Sequence, residues 1–314
     1  MNEKDNSFRI DLIDGLSRHP KRISSKYFYD NKGDALFQQI MELPAYYLSQ
    51  AEDSILEKYS NSLANALNTG SIELLELGAG DGRKTKRLLR ELLQVNTEMI
   101  YRPMDISAGV LKTLEARLQT DLPGLKCESY AGDYWQQFPE RKADRQRHIL
   151  FLGSNLGNYA KDVEKAFLQR LYKMTLPGDR LILGLDLVKD PSLILKAYDD
   201  PQGITSDFNL NLINRINREL DGDFDPEGFV HWAVYDPLEQ EARSYLISKR
   251  KATYSIDNGQ RSFSFNAWEP IHVETSRKYN LEELPSMAKE NGFKMIEAFT
   301  LEPPTFTDVL WERV

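Results

Sequence analysis

Residues 72–87, IELLELGAGDGRKTKR, constrain the fold of this chain more than any other stretch. An apolar run, Ile72, Leu74, Leu75 and Leu77, carries Glu73 and Glu76 within it and breaks into Gly78, Gly80 and Gly82. A basic, helix-forming segment with Lys84, Lys86, Arg87 and Leu88 follows at once. Strand, glycine turn and helix in direct succession let a ligand approach backbone amides at a helix N-terminus. A dinucleotide fingerprint needs G-x-G-x-x-G, whose third glycine permits tight helix–strand packing beside a pyrophosphate. Gly78 and Gly80 satisfy that pattern, but Arg83 occupies the third position, which disfavours a nicotinamide oxidoreductase.

The pattern downstream repeats strand and helix. Residues 99–106, MIYRPMDI, predict a second strand ending in Asp105, and helical spacing returns over 110–118. A third strand is expected over 126–131, with Gly132-Asp133-Tyr134-Trp135 at its end. A fourth, 148–152, leads into Ser154-Asn155-Leu156-Gly157-Asn158-Tyr159; a helix over 163–174 and a fifth strand over 180–188 follow. Such alternation implies a mostly parallel, doubly wound sheet. A helix over 281–291 and strands over 293–299 and 307–311 would close it with a β-hairpin. Between these, residues 190–220 read as helical and 231–273 as strands with turns at Asp236-Pro237 and Asp257-Asn258-Gly259, a separate α+β lobe.

Upstream, residues 1–25 are expected to be an ordered, exposed lead-in, and Lys26–Gly33 an aromatic segment closing in an Asn-Lys-Gly turn. Asp34 is expected to cap a helix bearing Leu36, Phe37, Ile40 and Met41, stopped by Pro44. Ser49 and Glu52 read as a capping box for a helix carrying Ile55, Leu56, Tyr59, Leu63 and Leu67.

Composition narrows the function classes. A net charge of −8 argues against bulk nucleic-acid binding, which needs a basic face. A single cysteine, Cys127, and four scattered histidines offer no metal-ligand spacing, so no metal is expected. No apolar run approaches the ~18 residues of a membrane span. The polar start MNEKDNSFRI has no apolar signal region. The expectation is a cytoplasmic protein acting on a small molecule, with no nucleic-acid or membrane partner.

In a doubly wound sheet, ligands bind beyond the carboxyl ends of the strands. Four such ends are polar here. Gly78–Gly82, preceded by Glu76, gives E-x-G-x-G, the pattern of S-adenosylmethionine (SAM) methyltransferases. Asp105 is placed to accept the two ribose hydroxyls, and Asp133 the adenine amino group, with Tyr134 against the base. Lys84 could pair with the cofactor carboxylate. Ser154–Tyr159 follows the fourth strand, where substrate contacts are usual. On strict alternation His272, Glu274 and Ser276 share one strand face. Each of these features alone is also consistent with an ordinary turn, cap or solvent face, and for a single Asp or a polar strand face that is the commoner case.

Together the segments resemble the histidine-specific methyltransferases that make Nα-trimethylhistidine (hercynine) for ergothioneine biosynthesis. The markers are KYFYDNKGDALFQQIMELPAYYLSQAE (26–52), ELGAGDGRKT (76–85), YRPMDIS (101–107), AGDY (131–134), FLGSNLGNY (151–159), DLVKDPSLILKAYDD (186–200), GITSDFNLNLINRINRELDGDFD (203–225) and VETSRKY (273–279). The resemblance implies a Rossmann-like SAM methyltransferase domain over 53–188 and 279–314. It implies a second, α+β substrate-recognition domain over 1–52 and 189–278. Cofactor contacts would fall on Gly78, Gly80, Lys84, Asp105, Asp133 and Tyr134. Asn158 and Tyr198 would hold the substrate carboxylate, and Glu274 and Ser276 would hydrogen-bond the imidazole, with Thr275 also among the substrate-binding residues. Tyr46 would lie near the amine as the catalytic group, with Tyr29 lining the same pocket. Ser244 stands where some relatives place a methionine against the ring. The implied enzyme is a monomer using SAM on L-histidine; a methyltransferase of another aromatic amino acid, or a non-catalytic SAM-binding module, are the alternatives.

Overall fold

The computed structural model describes residues 3–314, with side chains described from residue 7; Met1 and Asn2 of the polar start lie outside the described residues. The chain forms two compact units, one of residues 1–47 and 189–277 and the other of 48–188 and 278–314.

The first unit opens with α1 (Glu3–Ser17), then β1 (Lys21–Arg22), a 3-10 turn and α2 (Asn31–Glu42). Helix α1 is not an exposed lead-in. Phe8, Leu12 and Leu16, spaced four apart, are fully buried in the core of this unit with Tyr27, Phe28, Ile213 and Ile216. Charged residues between them hide the stripe from a composition-based reading. The cap of α2 is Asp30, not Asp34: its carboxylate accepts from the Gly33 amide at 2.7 Å, so Asn31-Lys32-Gly33 is the first helical turn.

Helix α3 (Tyr47–Leu67) leads into the second unit. It starts two residues before the expected Ser49 cap, which leaves Glu52 inside the helix and fully buried. The α/β core then runs β2 (Ile72–Leu77), α4 (Thr85–Val95), β3 (Ile100–Asp105), α5 (Ala108–Asp121), β4 (Lys126–Cys127), β5 (Tyr130–Ala131), β6 (Gln146–Phe151), α6 (Lys161–Met174) and β7 (Arg180–Asp186). The expected third strand is two short pieces, β4 and β5, both paired in parallel with β3. Every residue of β2 is buried, as strands covered on both faces require.

The chain returns to the first unit through α7 (Pro191–Tyr198), α8 (Ile204–Glu219), β8 (Phe229–Asp236), β9 (Glu241–Ser248), β10 (Ala252–Ile256), β11 (Arg261–Phe265) and β12 (Pro270–Arg277). Strands β1, β12, β9 and β8 form one sheet in that order, and β10 and β11 pair as a hairpin. The second unit ends with α9 (Leu284–Glu290), β13 (Phe293–Thr300) and β14 (Phe306–Arg313). Its sheet order is β13-β14-β7-β6-β2-β3-β4, with β14 antiparallel to β7. The closing hairpin is therefore as expected.

The order reverses between β2 and β6, the topological switch point at which open α/β sheets bind ligands. The turns after these two strands are Gly78–Gly82 and Gly153–Asn158.

The expected division at 52/53 and 278/279 differs from the observed one by a few residues for a physical reason. Glu52 and Lys278 are tied by buried bonds to Gly153 and Asp186, both in the second unit. Because Leu12 is fully buried, Leu12→Ala should cost about 2–5 kcal/mol of stability. Urea unfolding measures it, and a loss below about 0.5 kcal/mol would return α1 to an exposed role.

Candidate active site

The glycine turn is locked onto the end of the neighbouring strand. Gly78 and Ala79 donate their amides to the Met104 carbonyl, at 2.8 and 3.1 Å. Gly80 donates to Asp105 Oδ2 at 3.0 Å, and Ser107 donates to Oδ1 at 2.9 Å. Gly78, Gly80 and Gly82 all have positive φ, 71°, 54° and 64°. They serve different ends. A Cβ on Gly80 would meet nothing within 4 Å, so the turn presents bare backbone there. A Cβ on Gly82 would lie 2.2 Å from Leu114 Cδ1, so this glycine lets the turn pack on α5.

Burial pushes the Asp105 carboxyl up, against the lowering effect of its amide bonds. A carboxylate offers about four acceptor positions, so an anchored Asp105 can take ribose hydroxyls as well. An open glycine face beside an anchored carboxylate fits a nucleoside bearing a short charged tail.

Asp133 Oδ1 accepts from the Trp135 amide at 2.7 Å in an Asx turn that closes the end of β5. Tyr134 is half-buried, with its ring 5.7 Å from both Phe151 and Phe167. Tyr159 links to the Tyr134 hydroxyl at 3.1 Å and takes the Trp135 indole N–H at 3.0 Å. Burial first, and Tyr159 second, push the Tyr134 hydroxyl well above its usual value. Tyr134 follows the end of β5 and is supported by a fixed aromatic cluster.

Lys84 stands one residue before α4, and its ammonium is paired with the buried carboxylate of Glu52. The Oε1 of Glu52 accepts from the Gly153 amide at 2.7 Å. Sequence reasoning placed Glu52 in a cap and missed this role. The signal was present: Glu52 falls on the apolar stripe Leu48, Ile55, Leu56 and Leu63, where an acid needs a partner. Glu76 is also buried, accepting from Thr85 Oγ1 at 2.6 Å and from the Tyr101 hydroxyl. Asn158 ends the 3-10 turn that follows Ser154.

The remaining expected substrate residues belong to the first unit, whereas Asn158 belongs to the second. Tyr29, Phe37 and Tyr46 form a ring chain, with centroids 5.5 and 6.2 Å apart, and Tyr29 also meets Phe208 at 5.7 Å. Tyr198 is buried at the end of α7.

The strict alternation expected for His272, Glu274 and Ser276 does not hold. A bulge at Val273 shifts the register between β12 and β9: His272 faces Tyr245, whereas Glu274 faces Ser244 and Ser276 faces Ala242. Ala242, Ser244 and Leu246 form the buried face of β9. Glu274 and Ser276 therefore point inward with Ser244, whose hydroxyl donates to Glu274 Oε2 at 2.9 Å. His272 lies on the opposite face, where Thr275 Oγ1 meets its Nε2 at 3.0 Å. Thr275 is thereby kept apart from Glu274 and Ser276. The sequence marks Ser244 only as a replacement for a methionine; its bond to Glu274 is revealed by the register.

A parallel sheet closed by an antiparallel hairpin, with a glycine turn at its switch point and acids at the ends of the next strands, is the Rossmann-like fold of SAM-dependent methyltransferases. The chain belongs to the family of histidine-specific, SAM-dependent methyltransferases, whose family model matches residues 8–313. It is 34% identical to the histidine N-alpha-methyltransferase of Mycobacterium tuberculosis, across 96% of this chain and 93% of the relative. It is 33% identical to that of Mycolicibacterium smegmatis, across 94% and 91%. An L-tryptophan methyltransferase of Psilocybe serbica is 27% identical across 90% and 87%.

Desolvation raises Glu76 to about 7, with the bonds from Thr85 and Tyr101 opposing it. An unfolded chain releases that proton near the ordinary glutamate value, 4.5. The folded protein holds it between the two values, so this group's contribution to stability falls as pH rises through that window. Relative to the wild type, Glu76→Gln should gain up to about 3 kcal/mol between pH 5 and pH 8. Denaturant titrations at the two pH values test this; a pH-independent difference would refute it.

Proposed function

We propose that the enzyme transfers three methyl groups from SAM to the α-amino nitrogen of L-histidine, giving hercynine, the first step of ergothioneine biosynthesis. The observation that carries the reading is the inward set on the β12–β9 face. Glu274, held by Ser244, and Ser276 supply an acceptor and a hydroxyl, the complement of an imidazole's two nitrogens. Membership of the family and the named activity of the Mycobacterium tuberculosis relative support it.

SAM supplies a methyl carbon on a sulfonium, already an electrophile. The protein's work is to hold a neutral amine in line with it. Gly78, Gly80 and Asp105 hold the nucleoside and its tail, with Asp133 and Tyr134 at the base and Lys84 at the carboxylate. Asn158 and Tyr198 hold the carboxylate of the amino acid, and Tyr29 lines the pocket. Tyr46 lies near the amine, and either Tyr46 or a water receives the proton that the amine releases. No strong base is required: an α-amino group has a pKa of ~8 in peptides and higher in a free amino acid, so a modest push from its surroundings yields the neutral amine.

The proposal includes a monomer in the cytoplasm. Among the described residues no helix is long and apolar enough to cross a membrane.

The purified protein, incubated with SAM and a panel of amino acids, should add three methyls to histidine by mass spectrometry. Methylation of tryptophan with histidine untouched would move the assignment to another aromatic substrate, and SAM binding without turnover would make the chain a binding module. Glu274→Ala should raise the KM for histidine roughly 10- to 150-fold, the worth of a hydrogen bond to a charged group, and leave that for SAM unchanged. Tyr46→Phe should lower kcat by no more than about 100-fold, the low end for a positioned proton acceptor. A larger loss would make Tyr46 an essential base.

A further inference from the structure

The second unit contains a buried charge cluster that none of the expected contacts explains. Glu52 on α3 is completely buried, and both its oxygens are committed, one to the Gly153 amide at 2.7 Å and the other to the Lys84 ammonium. The fold makes room for it by omission. A Cβ on Gly184, in the middle of β7, would lie 2.1 Å from Glu52 Oε1 and 3.2 Å from the Gly153 nitrogen. A glycine inside a strand marks such a close approach. Opposite Gly184 on β14 stands Asp308, fully buried, with neither carboxylate oxygen hydrogen-bonded. Asp308 and Glu76 both face Glu52 and Lys84 electrostatically, so three acids share one lysine.

We propose that Glu52 is a positioning residue of the cofactor site: its carboxylate ties the Lys84 ammonium before α4 to the Gly153 amide after β6, setting both sides of the switch point from one side chain. The two segments it joins lie 32 and 101 residues away in sequence. Burial alone would lower the affinity of Lys84 for its proton, but Glu52 overrides this and holds the ammonium charged. Burial and the neighbouring Glu52 push Asp308 well above the carboxylate range, so it stays a neutral acid and leaves the Lys84–Glu52 pair balanced. Lysine has three donors, and fixing one on Glu52 directs the others. The Gly153 bond likewise fixes the start of the loop bearing Asn158.

The inference rests on Lys84 facing the cofactor carboxylate. It is independent of which amine is methylated, since its readout is SAM binding without a second substrate. Calorimetry on Glu52→Gln should show SAM affinity weakened at least about tenfold, the loss of a charge-assisted bond. Glu52→Asp, one methylene too short to span both partners, should fall between it and the wild type. Gly184→Ala, which displaces the carboxylate without removing it, should reproduce the loss. Leu12→Ala, destabilised in the other unit, should bind SAM within about twofold of the wild type and so separates positioning from general stability. In the unmodified protein, hydrogen exchange at the Gly153 amide should slow at least about tenfold on adding SAM. Folded Glu52→Gln binding SAM as tightly as the wild type, or a Gly153 amide whose exchange ignores SAM, would overturn the proposal.

Discussion

A glycine turn recognises a ligand only when its backbone is held still, and here the clamp is the end of the next strand. The carbonyl of Met104 takes two amides of the turn and Asp105 takes a third. Because β2 and β3 are parallel neighbours, Asp105 comes to the turn with no search for a partner across the fold. The same carboxylate also takes the Ser107 amide, so turn, strand end and the start of α5 share one anchor. Loss of that anchor would leave three glycines free in the left-handed region, where their entropy works against any single shape.

The second organising constraint is buried charge. Glu73 is bound by Arg102 and Arg147, and Asp179 by Arg141 and the Arg147 amide. These groups gather near the amino ends of the central strands, whereas Glu52, Glu76, Lys84 and Asp308 gather toward the opposite, ligand-binding side. The first set is matched cation for anion by tight pairs. The second has too few cations, and burial raises the proton affinity of Glu76 and Asp308. A stabilising set can saturate its bonds, whereas a set beside a ligand site retains a capacity to respond to charge.

The α/β core was legible because its signals are local. Apolar runs, glycine turns and the acids at strand ends each read from a few neighbouring residues, and the closing hairpin followed from two alternating segments. What escaped depended on register or distant partners. Helix α1 hides Phe8, Leu12 and Leu16 among charges; Asp30 caps α2 through one bond to Gly33; Glu52 looks like a cap residue until α3 is seen to begin at Tyr47. The face shared by Glu274, Ser276 and Ser244 needs the pairing of two strands and a bulge, and no periodicity within β12 reports either. Family resemblance indicated the residues, but not how the strand delivers them.

The bulge has a mechanical consequence. A strand of strict alternation cannot place an apolar side chain and the adjacent carboxylate on one side. Here Val273 joins the apolar core of its unit while Glu274, the next residue, turns toward the buried face of β9. The Glu274 carboxylate is therefore joined by a single peptide unit to a side chain wedged among Phe, Leu and Ile neighbours. Exchanging a methyl group in that core would tilt the carboxylate without altering any polar residue. The geometry of this face can drift from beneath, through packing, while its hydrogen-bonding groups stay the same.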